Sequence, residues 1–255
     1  DLNSTISIGK TDRNSHINST TLYTNDTIPD IYRNINENNI SKNNSYNFDV
    51  KYTYPIADST KIAIGTAYDF SDNETNNRTW NYNEITGEYD QINNNLTRFY
   101  STKQNQINPY AQFLLNKSKL SAAVKVGANI YNQDNFGIFK STDYNSIQNK
   151  TLPNLEGNIR YQSGNNSLSL QYNYQTSLAS SSQVLPILDE TDPLDVYKGN
   201  PDLDPNKAHN INLMFSNFDR KTRQGFNTFL SYTYNESSIV NFTDMDYISY
   251  KRTTT

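Results

Sequence analysis

Residues 48–70 read FDVKYTYPIADSTKIAIGTAYDF. Phe48, Val50, Tyr52 and Tyr54 alternate with Asp49, Lys51 and Thr53; beyond residues 55–60, Ile62, Ile64, Thr66, Tyr68 and Phe70 alternate with Lys61, Ala63, Gly65, Ala67 and Asp69. Successive side chains of a strand point to opposite faces, so this period of two predicts a β-hairpin with one apolar and one polar face.

The same rhythm recurs three times. Ile107, Pro109, Ala111, Phe113 and Leu115 turn through Lys117-Ser118-Lys119 into Leu120, Ala122, Val124, Val126, Ala128 and Ile130. Leu155, Gly157, Ile159 and Tyr161 turn through Ser163-Gly164-Asn165-Asn166 into Leu168, Leu170, Tyr172 and Tyr174. Ile211, Leu213 and Phe215 are joined across residues 220–225 to Thr228, Leu230, Tyr232 and Tyr234. Between the hairpins run longer polar stretches, 71–96, 132–150 and 177–208, and another at 11–45 with only Ile28-Pro29 and Ile31-Tyr32 as apolar punctuation. These are read as loops. Short and long connections then alternate regularly, which places every short turn at one end of an up-and-down sheet. Transmembrane β-barrels are organised in this way, whereas the crossovers of a Greek-key sandwich mix the two ends.

Composition fits the same architecture. Hydrophobic residues make up 34% of the 255, below the ~45–50% usual in globular domains. Yet 20 Tyr and 11 Phe are too many aromatics for a disordered chain. A barrel with lipid outside and water inside needs only every second side chain to be apolar. The 40 Asn are assigned to loops and to the wet face. Tyr52, Tyr54, Tyr68, Phe70, Tyr131, Tyr172, Tyr174, Tyr232 and Tyr234 are expected to form an aromatic girdle on the long-loop side. The expected fold is therefore all-β, an antiparallel up-and-down transmembrane barrel, of which the chain supplies about nine or ten strands. Residues 5–10 and 244–253 are read as further strand ends.

Chemistry is sparse. The net charge of −4 and the lack of any dense Lys/Arg cluster argue against nucleic acid as a partner. Cysteine is absent, which excludes disulfides, thiolate metal sites and a cysteine nucleophile. His16 and His209 have no nucleophile or carboxylate at a persuasive spacing and are read as solvated. Gly9-Lys10-Thr11 lacks the upstream glycine of a phosphate loop. Asp189, Glu190, Asp192 and Asp195 lack EF-hand spacing and are read as a solvated acidic loop. No catalysis and no cofactor are expected. Trp80, Tyr82 and Tyr89 fall in the 71–96 stretch, where exposed rings can grip a sugar or a peptide, and are the candidate ligand-binding residues.

One further segment, Leu185 to His209, reads LPILDETDPLDVYKGNPDLDPNKAH. Its Leu185-Pro186-Ile187, Asp192-Pro193-Leu194 and Gly199-Asn200-Pro201-Asp202-Leu203-Asp204-Pro205 resemble the barrel domain of TonB-dependent receptors and the related outer-membrane β-barrel family. The chain carries Leu203-Asp204-Pro205-Asn206 where that family commonly runs Leu-Lys-Pro-Glu. The resemblance implies a place in the cell outer membrane, in contact with lipid. It also implies import of a bulky nutrient, such as an oligosaccharide, a peptide or a metal chelate. A plug domain outside this chain would gate the pore, a TonB-type energy-transducing complex would act on the plug, and a surface lipoprotein is a further possible partner. Gly199, Asn200, Pro201, Leu203 and Pro205 are expected to shape the entry to the next strand, glycine by permitting unusual φ and proline by fixing it. Residues 1–255 are read as part of one barrel domain, with the plug and C-terminal strands outside it. A soluble or surface-attached all-β adhesin or carbohydrate-binding module is the alternative. It requires the apolar strand faces to pack on a second sheet.

Overall fold

A computed structural model describes residues 1–23, 29–219, 221–247 and 251–255. Its strands in chain order are β1 (Leu2–Thr21), β2 (Ile31–Ala57), β3 (Thr60–Asn83), β4 (Glu88–Ile92), β5 (Arg98–Asn116), β6 (Leu120–Phe139), β7 (Thr142–Ser163) and β8 (Asn166–Ser177). A one-turn helix α1 (Ser181–Val184) follows, then β9 (Leu188–Asp189), β10 (Asp195–Lys198), β11 (Asn206–Asp219), β12 (Gln224–Ser237), β13 (Thr243–Asp246) and β14 (Lys251–Thr254). The main sheet is antiparallel, ordered β1-β2-β3-β5-β6-β7-β8-β11-β12, with β4 hanging from β3; β1 and β12 are its open edges. A small second sheet runs β13-β14-β10-β9.

All four hairpins expected from the alternation are present, and the register carries the two-faced pattern across the sheet. One row runs Tyr54, Ile62, Phe113, Val124, Gly157, Tyr172, Ile211 and Tyr232 on a single face. The adjacent row, on the other face, runs Thr53, Ala63, Gln112, Lys125, Glu156, Asn173, Asn210 and Thr233. On the apolar face Val50 is 41% exposed, Ile64 61%, Val124 46% and Leu170 37%. A soluble sandwich would have buried these four against a second layer; here they stand open, as side chains that meet hydrocarbon must. On the polar face Lys125 pairs with Glu156 at 3.0 Å and the Tyr110 hydroxyl donates to Asp49 at 3.0 Å.

The strands are far longer than the apolar rhythm suggests. β2 has 27 residues and β3 has 24, against the ~9–11 needed to cross a bilayer at a ~45° tilt. Residues 11–45, 71–96 and 132–150, expected to be loops, are therefore mostly strand. Asn43, Asn73, Thr102 and Asn135 continue the ladder through stretches whose sequence carries no strand period. Beyond the lipid both faces meet water, so the period of two vanishes from the sequence although the backbone pairing persists. The Lys42–Glu74 ion pair, 3.3 Å, sits on the lipid-side face beyond Tyr46 and Phe70 and marks the exit from the apolar band. β6 and β7 are joined simply by Lys140-Ser141, both at positive φ (50° and 60°), the backbone twist a two-residue hairpin favours.

The aromatic girdle also differs from expectation. Tyr68 and Phe70 lie on the long-connection side, with Phe70 stacked on Tyr46 at 5.8 Å. Tyr54, paired with Ile62, instead lies next to the short turn, together with Tyr52, so rings flank the band at both ends. Tyr131 faces the polar side, 5% exposed, and its hydroxyl donates to the Thr176 carbonyl at 3.2 Å. The strand read over 244–253 is divided between β13 and β14 and belongs to the second sheet. The short β1 expected at 5–10 extends over Leu2–Thr21. Ile28 and Arg220, named in the connections above, and residues 248–250 of the strand expected over 244–253 lie outside the described residues.

If the apolar face meets lipid, Val124→Arg should destabilise the folded barrel in vesicles by about 2–4 kcal/mol. Asn158→Arg, on the wet face of the same hairpin system, should change stability by less than ~0.5 kcal/mol. Urea unfolding followed by tyrosine fluorescence measures both, and equal effects would refute the assignment of faces.

Candidate functional site

Residues 178–205 leave β8 and, instead of forming an outer loop, fold back over the polar face of β5 and β6. This strap is anchored by Val184, Leu185 and Ile187, each at most 1% exposed, packed with Ala179, Tyr100 and Phe139. Burying each of the three anchors is worth about 1.5–3 kcal/mol. Gly137 makes the approach possible: a Cβ there would stand 2.6 Å from a terminal carbon of Ile187 and 2.8 Å from one of Leu185.

Polar contacts fix the rest. Arg98, 3% exposed, donates from Nη1 to Asp189 Oδ1 at 2.6 Å and from Nη2 to Thr191 Oγ1 at 3.0 Å. Arg33 on β2 donates to the carbonyls of Glu190, at 2.8 Å, and of Thr191. Gln133 donates to the Ala179 carbonyl at 2.6 Å, and the Ser181 amide donates to Thr102 Oγ1 at 3.2 Å. The acidic cluster is thus not a solvated loop. Glu190 also meets Lys251 at 3.2 Å and Asp195 meets Arg252 at 2.9 Å, which ties the strap to β14. Among the described residues no group of three or more His, Cys, Asp or Glu is placed to hold a metal ion.

The Gly-Asn-Pro segment closes the strap. The Asn200 amide donates to the Gln183 carbonyl at 2.6 Å, and the Asp202 amide donates to Asn200 Oδ1 at 3.0 Å. Leu203 packs at the edge of the apolar cluster, Pro205 is buried and Pro201 is exposed. Gly199 serves a different purpose from the one expected. Its φ is not in the left-handed region; a Cβ would lie 2.0 Å from the Leu185 carbonyl oxygen, so glycine is needed for close approach of two backbone segments.

At the far end of β3 the candidate aromatics divide. Tyr82 and Tyr89 face each other across the β3–β4 hairpin at 5.3 Å. Tyr89 also meets the edge of the His16 ring at 5.2 Å and donates its hydroxyl to Asn34 Oδ1 at 2.7 Å. Trp80 is paired with Asn36 and Ile92 in the ladder and joins neither tyrosine in a ring contact. These residues lie on strands rather than in a loop. Tyr82 borders a groove of about 670 Å³ that is also lined by Tyr32, Arg33, Asn34, Asn93 and Glu190. Sequence reasoning missed Arg33, Asn34 and Arg98, because their partners are distant in the chain and no local spacing marks them. Neither histidine is simply solvated. His209 lies among tyrosines, with Tyr174 at 4.7 Å and Tyr234 at 5.9 Å, and its Nδ1 is 3.0 Å from the Tyr172 hydroxyl.

The sequence pattern of a family described as the outer membrane protein β-barrel family matches residues 1–255, the full length of the chain. The chain belongs to that family. Comparison with curated proteins gave no match. Membership fixes the setting: the barrel resides in the outer membrane, its apolar face turned to lipid and its polar face to the lumen, and the strap lies against the lumen wall above the lipid band. No helix among the described residues is long and apolar enough to cross a membrane, so the crossing is made by strands.

Substitution at Gly199 tests the strap. Gly199→Ala forces its Cβ into backbone and should raise amide exchange across residues 184–187 by at least about thirtyfold, a local loss of about 2 kcal/mol or more. Gly157→Ala, where nothing lies within 4 Å, should leave exchange unchanged. Hydrogen exchange by mass spectrometry reads both, and unchanged protection in Gly199→Ala would contradict the packing described.

Proposed function

We propose that this chain forms part of the barrel wall of a TonB-dependent-receptor-like transporter that imports a bulky nutrient, an oligosaccharide, a peptide or a metal chelate. The observation that carries the reading is the strap. The segment that resembles the receptor barrels, Leu185 to Pro205, lies inside the lumen with its anchors Leu185 and Ile187 fully buried. Two features support it further. Strands that extend well past the lipid build a deep vestibule, and Tyr82 and Tyr89 stand at its rim, where a ligand arriving from outside would be collected.

In this reading the wall does no catalysis. It pairs its backbone groups within the bilayer at all but the open edges of β1 and β12, and offers a wet, hydrogen-bonding inner surface. A plug carried outside residues 1–255 closes the pore, and a TonB-type energy-transducing complex acts on that plug. A surface lipoprotein is the proposed partner at the mouth, where Val240, Phe242 and Tyr247 stand 73%, 70% and 79% exposed.

The test is growth of the host on each nutrient class as sole source. Deleting the gene and deleting the energy-transducing protein should abolish growth on the same bulky nutrient. The double variant Tyr82→Ala/Tyr89→Ala should raise the half-saturating concentration about tenfold, through loss of two aromatic contacts. Unchanged growth of the deletion strain on every class, or loss that does not depend on the energy-transducing protein, would overturn the proposal.

A further inference from the structure

Beneath the strap lies a second cavity, of about 620 Å³, between the lumen face of β3, β5 and β6 and residues 177–183, 189 and 197. Its wall includes Asn77, Arg98, Tyr100, Gln183, Asp189 and Tyr197. Tyr100 is 9% exposed, yet neither its hydroxyl nor that of Tyr197 has a hydrogen-bond partner among the described residues. The two hydroxyls are open to this space, and in the same wall Asn77 Oδ1 and Arg98 Nε are buried without a partner. The cavity thus offers hydrogen-bonding groups that no other protein group takes up.

The chemistry of the wall selects the ligand. Its charges neutralise each other, since Arg98 and Asp189 are held at 2.6 Å. An anion finds no free cation there and a cation no free carboxylate. Burial pushes the Tyr100 hydroxyl up to about 12, with Asp189 and Tyr197 adding to the rise against the pull of Arg98; burial raises Tyr197 as well. Both phenols therefore stay neutral and can donate as well as accept. The rest of the wall is mostly amides and hydroxyls, with Leu178, Ala179 and the tyrosine rings as its apolar part. A peptide's charged side chains would find no free partner in this wall. A neutral molecule rich in hydroxyls satisfies the amides and hydroxyls, and its carbon skeleton can lie against Leu178, Ala179 and the half-buried Tyr197 ring.

We propose that this cavity binds a neutral polyhydroxylated molecule, a sugar unit of an uncharged oligosaccharide, through the hydroxyls of Tyr100 and Tyr197. The proposal deepens the transport reading and rests on it for the route by which the molecule arrives. Binding itself needs no energy-transducing partner.

The experiment is saturation-transfer NMR and titration on the intact outer-membrane protein in detergent. The probes are neutral gluco-, manno-, galacto-, xylo- and fructo-oligosaccharides, matched uronic-acid oligosaccharides and uncharged tripeptides. At least one neutral oligosaccharide should bind. Tyr100→Phe and Tyr197→Phe should each weaken it severalfold and the double variant by tenfold or more, as expected for lost hydrogen bonds. Tyr161→Phe, on the lipid side near the short turn, should leave affinity unchanged. No binding by any neutral oligosaccharide overturns the proposal, as does binding that the double variant leaves intact or tighter binding of uronic-acid sugars or tripeptides. Binding that persists where cells show no energised uptake defeats the transport reading and leaves the site standing. Energised uptake of a ligand indifferent to these tyrosines does the reverse.

Discussion

A peptide group inside hydrocarbon has no water to fall back on, and leaving it unpaired costs several kcal/mol. The antiparallel ladder from β1 through β12 is the answer this chain gives, and most of its other properties follow. Pairing fixes the register, register puts every second side chain on the same face, and each face then takes the solvent it meets. Val124 can stand 46% exposed without penalty because its surroundings are lipid. Lys125, one residue on, can hold a charge because its face is wet and Glu156 is 3.0 Å away. The low hydrophobic content, which would leave a globular domain short of a core, suffices for a wall coated on one side alone.

Above the lipid the constraint relaxes, and the protein uses the freedom. The ladder continues, but with water on both sides the lumen face can accept a dry patch. Tyr100, Phe139 and Gly137 form that patch and the strap fills it. The fit is not complete in its polar atoms. Arg98 Nε, Asn77 Oδ1 and Asn135 Nδ2 are buried without partners, so apolar anchoring by Val184, Leu185 and Ile187 must outweigh a polar penalty beside it. An element held by a few strong apolar contacts over an imperfect polar floor can loosen without disturbing the paired frame beneath it.

Legibility in the sequence followed this division closely. Where lipid faces water across a strand, alternation is strict, and the hairpins built around Val50 and Ile64 or around Ile159 and Leu170 could be read with their turns. Past the lipid, runs such as Asn38-Asn39 and Asn43-Asn44 carry no period, so extended strand and loop look alike. The strap residues were recognisable as a motif, but not their reason: Gly199 matters for what its missing Cβ would strike, which depends on Leu185 folding back beside it. Arg98 and Arg33 could not be singled out at all, since they reach partners 91 and 158 positions away. Of the three rings proposed for ligand contact, Tyr82 and Tyr89 are brought together, while Trp80 is committed to the ladder.

The most direct measurement of this account is site-directed spin labelling along β2 and β6, which the absence of native cysteine makes clean. Single cysteines at Val50, Lys51, Val124 and Lys125, and beyond the band at Lys42 and Asn43, would be labelled in vesicles and tested for collision with oxygen and with a water-soluble nickel chelate. The expected result is oxygen access at 50 and 124, nickel access at 51 and 125, and nickel access at both 42 and 43. Shielding of 50 and 124 from oxygen and nickel alike would mean that a dry protein layer covers them, and the two-solvent account of this sheet would be wrong.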